Sequence, residues 1–112
     1  MVRKFKIGQE ELEFKMTNKT IFDIDEKYNN YGDVINGLMD GIQLYNNSLK
    51  ILCACCISKE LQIEDVIEKL TPVQLSYELV DFATKLYIDY MGIKEKAEIC
   101  EAEEKKENKK KA

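Results

Sequence analysis

Histidine is missing from this chain, tryptophan is missing, and there is one proline and one arginine among 112 residues. Without histidine the commonest general base and the commonest metal ligand are gone, and no Ser-His or Cys-His nucleophile can be assembled within the chain. With Arg3 alone, bidentate grips on phosphate or guanine are scarce. The chain is also short of basic charge: 17 Lys and Arg against 21 Asp and Glu leave a formal net charge of −4. From Lys94 onward there are 7 Lys and 6 Glu, or +1, so residues 1–93 carry −5. An acidic body is a poor match for a phosphate backbone, and nucleic acid is not an expected partner. No Gly-rich phosphate loop is present. No long apolar run exists either. The longest, from Ile51 to Ile57, falls far below the roughly 20 residues of a membrane span. The start MVRKFKIG has no apolar core of a secretory signal, and four cysteines without a pairing pattern suit a reducing compartment, so a soluble intracellular protein is expected.

What is present begins with alternation. Phe5 and Ile7 alternate with Lys4 and Lys6, and Leu12, Phe14 and Met16 with Glu13 and Lys15. Period two on both sides of Gly8-Gln9-Glu10-Glu11 predicts a β-hairpin with one apolar face. A lone hairpin is marginal in water, so that face must lie on helices.

Helical periodicity follows. Thr17 or Asn18 can cap a first helix carrying Ile21, Ile24 and Tyr28, which Asn29-Asn30-Tyr31-Gly32 should end. Asp33 can cap a second, through Val34, Ile35, Leu38 and Ile42. Gly37 and Gly41 would weaken it by about 1 kcal/mol each. They mark either a loose segment or a close backbone approach. Asn46-Asn47-Ser48 reads as a break and a cap, and Leu49 to Ile57 as a helix apolar all round, central to the fold. A short helix is expected from about Gln62, with Ile63, Val66, Ile67 and Leu70. Thr71-Pro72-Val73-Gln74 is the clearest start signal: a capping Thr, Pro at the first helical position, and Gln completing a capping box. Gly92 is the matching stop, giving a helix of about 20 residues.

On a wheel of 100° per residue, Gln74, Glu78, Asp81, Lys85 and Asp89 form one polar stripe, and apolar residues fill the rest. That excess width marks either the central helix or one that meets another chain. The partner-binding candidates on it are Tyr77, Val80, Leu86, Tyr87, Tyr90 and Met91, where aromatic anchors of the kind enriched at hot spots occur. The expected architecture is therefore mostly α with an N-terminal β-hairpin (α+β), four or five helices on the hairpin. Residues 1–93 form one domain, and residues 94–112 a charged, disordered or frayed tail.

Cys53-Ala54-Cys55-Cys56 invites a metal or redox reading, but neither a second pair nor a histidine accompanies it. In so apolar a segment, small buried hydrophobes are the expectation. The carboxylates fall on polar helix faces. No catalytic residue, metal or cofactor is expected.

The order of parts resembles a known family. The hairpin FKIGQEELEFKM leads into NKTIFDIDEKYN, then a loosely patterned helix, a buried helix, a short helix opening LQIEDVIEKLTP, and a long helix with a Lys/Glu tail. This layout resembles the tail assembly chaperones of long-tailed bacteriophages, particularly of Gram-positive hosts and prophages. The resemblance implies binding of the tape measure protein during tail assembly, recruitment of tail tube subunits, action in the host cytoplasm, and absence from the finished virion. It implies no catalysis. Several copies along one client would add avidity, so homo-oligomers are expected. The resemblance also implies a longer, frameshifted form. Lys105-Lys106 and Lys109-Lys110-Lys111 suit a slippery run, an idea that fails if the gene holds no heptameric slip site. A small regulatory adaptor or antitoxin-like module, or a structural tail protein, are the other readings of such a chain.

Overall fold

Five residues of one strand, Arg3–Ile7 (β1), pair antiparallel with five of another, Glu10–Phe14 (β2), in a computed structural model that describes residues 1–28 and 30–92. Pairing closes at Ile7↔Glu10, leaving a two-residue loop of Gly8 and Gln9 rather than the four-residue turn the sequence suggests. Gly8 alone has positive φ, +64°, the signature of a II′ loop, whose twist suits a hairpin. Glu10 and Glu11 belong to the strand. There Lys6 faces Glu11 and Lys4 faces Glu13, while Phe5, Ile7, Leu12 and Phe14 are buried.

The chain is otherwise helical: α1 (Asn18–Tyr28), α2 (Tyr31–Asp40), α3 (Leu44–Cys55), α4 (Ile63–Lys69) and α5 (Leu79–Met91), the last preceded by a π-helical turn, Gln74–Glu78. It is mostly α with an N-terminal hairpin, as expected. Residues 94–112, expected to form the charged tail, lie outside the described residues, as does Asn29.

The buried centre is α3, which packs against α1, α2, α4 and α5. Leu49, Ile51, Leu52, Cys53 and Cys55 are all buried, so the apolar segment occupies the middle as far as Cys55; the helix ends there, with Cys56 extended and Ile57 exposed. Its start differs from expectation. Asn46, Asn47 and Ser48 do not break the chain but sit inside α3. Asn47 is buried, and its Nδ2 donates to the Ile42 carbonyl at 2.8 Å, so its amide is satisfied without capping anything. The cap of α2 also moves. Asn30, not Asp33, is the N-cap, with Oδ1 accepting from the Asp33 N–H at 3.3 Å. Asn30 already has extended backbone (φ −157°, ψ 105°), which a capping side chain needs.

After α3 the chain straightens into the sheet. The Lys15 N–H donates to the Cys55 carbonyl and the Ile57 N–H to the Glu13 carbonyl, both at 2.9 Å, around a bridge between Phe14 and Cys56. Ser58 Oγ then accepts from the Glu13 N–H at 2.8 Å. The outer edge of β2 is thus covered, leaving few open strand groups on that side.

The hairpin joins the helices through three rings. Phe5 and Phe82 have centroids 4.7 Å apart, Phe14 and Phe82 5.5 Å edge-on, and Phe5 and Phe14 6.4 Å edge-on. Each such pair is worth about 0.5–1.5 kcal/mol beyond the area it buries.

Candidate functional site

The final helix begins as the sequence predicts. Gln74 N–H donates to Thr71 Oγ1 at 3.1 Å and Thr71 N–H to Gln74 Oε1 at 3.0 Å, a reciprocal capping box. Gln74 Nε2 then donates to the Lys6 carbonyl at 2.7 Å, fastening the helix start to β1. Gly92 stops the helix with φ +74°.

Between these ends the regular wheel fails. A π turn advances about 80–85° per residue instead of 100°. Over the five residues of the turn the phase slips by roughly one residue position. Gln74 swings toward the hairpin and out of the polar stripe. Val73 swings to solvent, where it and Tyr77, one turn apart, stand exposed, Tyr77 at 80%. Asp89 stays on the stripe with Asp81 and Lys85, since α5 is regular from Leu79, but its carboxylate is clasped by Arg3.

The six partner-binding candidates are not brought together. Leu86 lies in the core at 1% exposure, on the same buried face of α5 as Leu79 and Ala83, which leaves it nothing to offer a partner. Val80, Tyr87 and Tyr90 are half-buried against that core, and Tyr90 Oη donates to Asn18 Oδ1. Only Tyr77 and Met91 are open, at opposite ends of the helix. The excess apolar width is explained mainly by packing on both flanks, hairpin on one side and α2–α3 on the other. The central-helix alternative thus accounts for most of it.

A second surface went unmarked by the sequence reading. Met39, Ile42 and Tyr45, at the corner between α2 and α3, are exposed at 49%, 62% and 49%. The corner is tightly built. Gly41 closes α2 at φ +76°, Ile42 N–H donates to the Gly37 carbonyl at 2.9 Å, and Gln43 takes φ +46°, unusual for a residue with a Cβ. Asn47 fills the notch over Gly37. Residues 34–49 hold a single charge, Asp40, in a chain that is 34% charged. That depletion was the available signal, passed over because the segment read as loose.

The ionisable groups point to packing. Burial, with the neighbouring thiols, pushes Cys53 and Cys55 up to about 12, so neither supplies a thiolate near neutral pH. Burial likewise raises Tyr28 and Tyr31 to about 12. Lys59, against Glu10, lowers that carboxyl from its usual value. Among the described residues no group of three or more Cys, Asp or Glu is placed to hold a metal ion, and no helix is long and apolar enough to cross a membrane. A cleft of about 280 Å³ beside the hairpin is lined by Met16, Asn18, Leu86 and Tyr90 with Asp89, whose carboxylate is already taken by Arg3.

No family model, no curated protein and no solved structure matches this chain.

Proposed function

We propose that this protein is a non-catalytic assembly chaperone of long-tailed phages, which holds helical segments of the tape measure protein in the host cytoplasm and is left out of the finished particle. The order of parts, hairpin, compact helices, long last helix and charged tail, resembles the layout of that family. One observation carries the reading at the level of residues. Val73 and Tyr77 form an exposed apolar ridge on a helix start that cannot easily retreat, because the capping box and the Gln74–Lys6 bond hold it. A ridge one turn long is a natural contact for the apolar stripe of a client helix. Several copies along one client would multiply a weak contact into useful avidity. Tail tube subunits and a frameshifted longer form are further partners on this reading.

The test is co-expression with the tape measure protein of the same locus, followed by pull-down and light scattering. A soluble complex is expected where the client alone is insoluble, weakened by Tyr77→Asp with Val73→Asp. A client that behaves identically with and without this protein overturns the proposal.

A further inference from the structure

We infer that Cys53 and Cys56 form a redox-active dithiol, open to solvent at Cys56, which a small disulfide of the glutathione type converts into a disulfide within the chain. This goes beyond the chaperone reading and does not rest on it. In the sequence the three thiols of Cys53-Ala54-Cys55-Cys56 look alike. The fold separates them. α3 ends at Cys55, and Cys56 turns to extended backbone (φ −67°, ψ 125°) to meet Phe14. Cys53 and Cys55 are buried, whereas Cys56 is half-exposed. Cys53 and Cys56 line the same cleft, of about 380 Å³, and Cys55 does not.

Helix geometry selects the pair. Ala54 and Cys55 are helical, so the Cα atoms of Cys53 and Cys56 stand roughly 5 Å apart, inside the range of about 4.4–6.8 Å that a disulfide spans. Side chains three positions apart also share one face of a helix. Cys55 suits neither neighbour. Its Cα is only about 3.8 Å from that of Cys56, and it lies about 160° round the helix from Cys53. The two selected thiols sense each other as well: burial is the main cause of the raised Cys53 value, Cys56 is the next, and Lys27 opposes both. The rim of the cleft holds Lys19, Lys27 and Lys59 against two carboxylates, a slight positive balance in a chain of net charge −4. That balance favours an anionic reagent such as glutathione disulfide.

The chemistry is two successive exchanges. The Cys56 thiolate attacks one sulfur of the small disulfide, the S–S bond of the reagent breaks, and one glutathione thiolate leaves and takes up a proton. Cys53 then gives its proton to water and attacks the Cys56 sulfur, which expels the second glutathione. Two protein thiols are oxidised and one small disulfide is reduced to two thiols. With Cys56 already bonded to sulfur, its charge no longer holds back ionisation of Cys53. Intracellular disulfides of this sort are transient and answer to a change of redox state, so the reduced pair is the resting form.

The test uses the full chain with Cys100→Ser, so that the one thiol outside the described residues takes no part. The folded protein is treated with glutathione disulfide, quenched with acid and weighed by mass spectrometry. The product should be lighter than the reduced chain by two hydrogens and should retain no glutathione. Cys53→Ala should stop with one glutathione on Cys56, and Cys55→Ala should still close. Cys56→Ala should slow oxidation of the remaining thiols by roughly tenfold or more, because both are buried. Circular dichroism of each variant checks that it folds, and fragmentation of the wild-type peptide that holds all three cysteines places the bond without any variant at Cys53, Cys55 or Cys56. A Cys56 that reacts no faster than Cys55 overturns the inference. So does a stable glutathione adduct on Cys56 with Cys53 present, or a bond that involves Cys55.

Discussion

Arg3 and Asp89 meet side by side, Nε on Oδ2 at 2.6 Å and Nη2 on Oδ1 at 3.1 Å, across 86 positions of sequence. The pair closes β1 onto the last turns of α5, and about a fifth of each side chain remains exposed. Fork-on-carboxylate geometry is stronger than a point contact, though water still screens it. Arg3→Lys keeps the charge and loses the fork. It should cost roughly 1 kcal/mol, nearly as much as Arg3→Ala. Urea unfolding of the two variants, with Asp89→Ala closing a double-mutant cycle, measures the coupling. A coupling near zero would show that the contact adds nothing.

Gly37 gives a prediction of opposite sign to its helix propensity. In an exposed helix Gly→Ala stabilises by about 1 kcal/mol. Here the added methyl would lie 2.0 Å from Asn47 Nδ2 and 2.8 Å from the Ile42 carbonyl oxygen. Gly37→Ala should therefore destabilise by about 2–3 kcal/mol, as overpacking does. Gly41→Ala meets open space but keeps φ +76°, and should cost about 1 kcal/mol. Thermal unfolding that ranks Gly41→Ala as the worse of the two would contradict the notch at Gly37.

Gln74 both caps and donates. Glu is ordinarily as good as Gln at this position of a capping box and suits the helix dipole. It could still accept from the Thr71 N–H, but it cannot donate to the Lys6 carbonyl. Gln74→Glu should thus lower stability by about 1–2 kcal/mol instead of raising it. Amide exchange at the helix start should quicken in the same variant, and protection equal to wild type would argue against the tie to β1.

Alkaline pH should unfold the protein through its core. Cys53 and Cys55 rise from 9.0 to about 12 on folding, and Tyr28 and Tyr31 from 10.0 to about 12. The folded state therefore retains protons that the unfolded state gives up. Stability is full below pH 9 and is lost as pH rises toward 12. Melting temperatures should fall over that window, and Cys53→Ala with Cys55→Ala should flatten the slope even though packing is lost at all pH values. An unaltered slope would place the titrating groups elsewhere.

How much could be read from sequence depended on how local the determining interaction is. The hairpin alternation and the Thr71-Pro72-Gln74 start depend on neighbours within four positions, and both are found where expected. Asn47 misled because its amide turns to Ile42 and Gly37 rather than to its own helix end, a tertiary choice without local trace. The candidate face on the last helix was blurred by a wheel that assumes 100° throughout, since a π turn leaves no compositional mark. Leu86 was indistinguishable from its apolar neighbours until its burial, on the same face of α5 as Leu79 and Ala83, assigned it to the core. The corner at Ile42 was visible as missing charge, a signal that periodicity does not weigh.

The first sixteen residues cannot be finished on their own. The open edge of β2 is covered only when residues 55–57 arrive, and the rings of Phe5 and Phe14 rest on Phe82. A hairpin by itself is marginal, so this segment, synthesised ahead of the residues that cover it, must wait for them before it is stable. Folding is then a late and cooperative event, delayed by long-range closure. A nascent chain halted before Phe82 would still expose the alternating strands FKI and LEF, the stretch most prone to pair with a stranger.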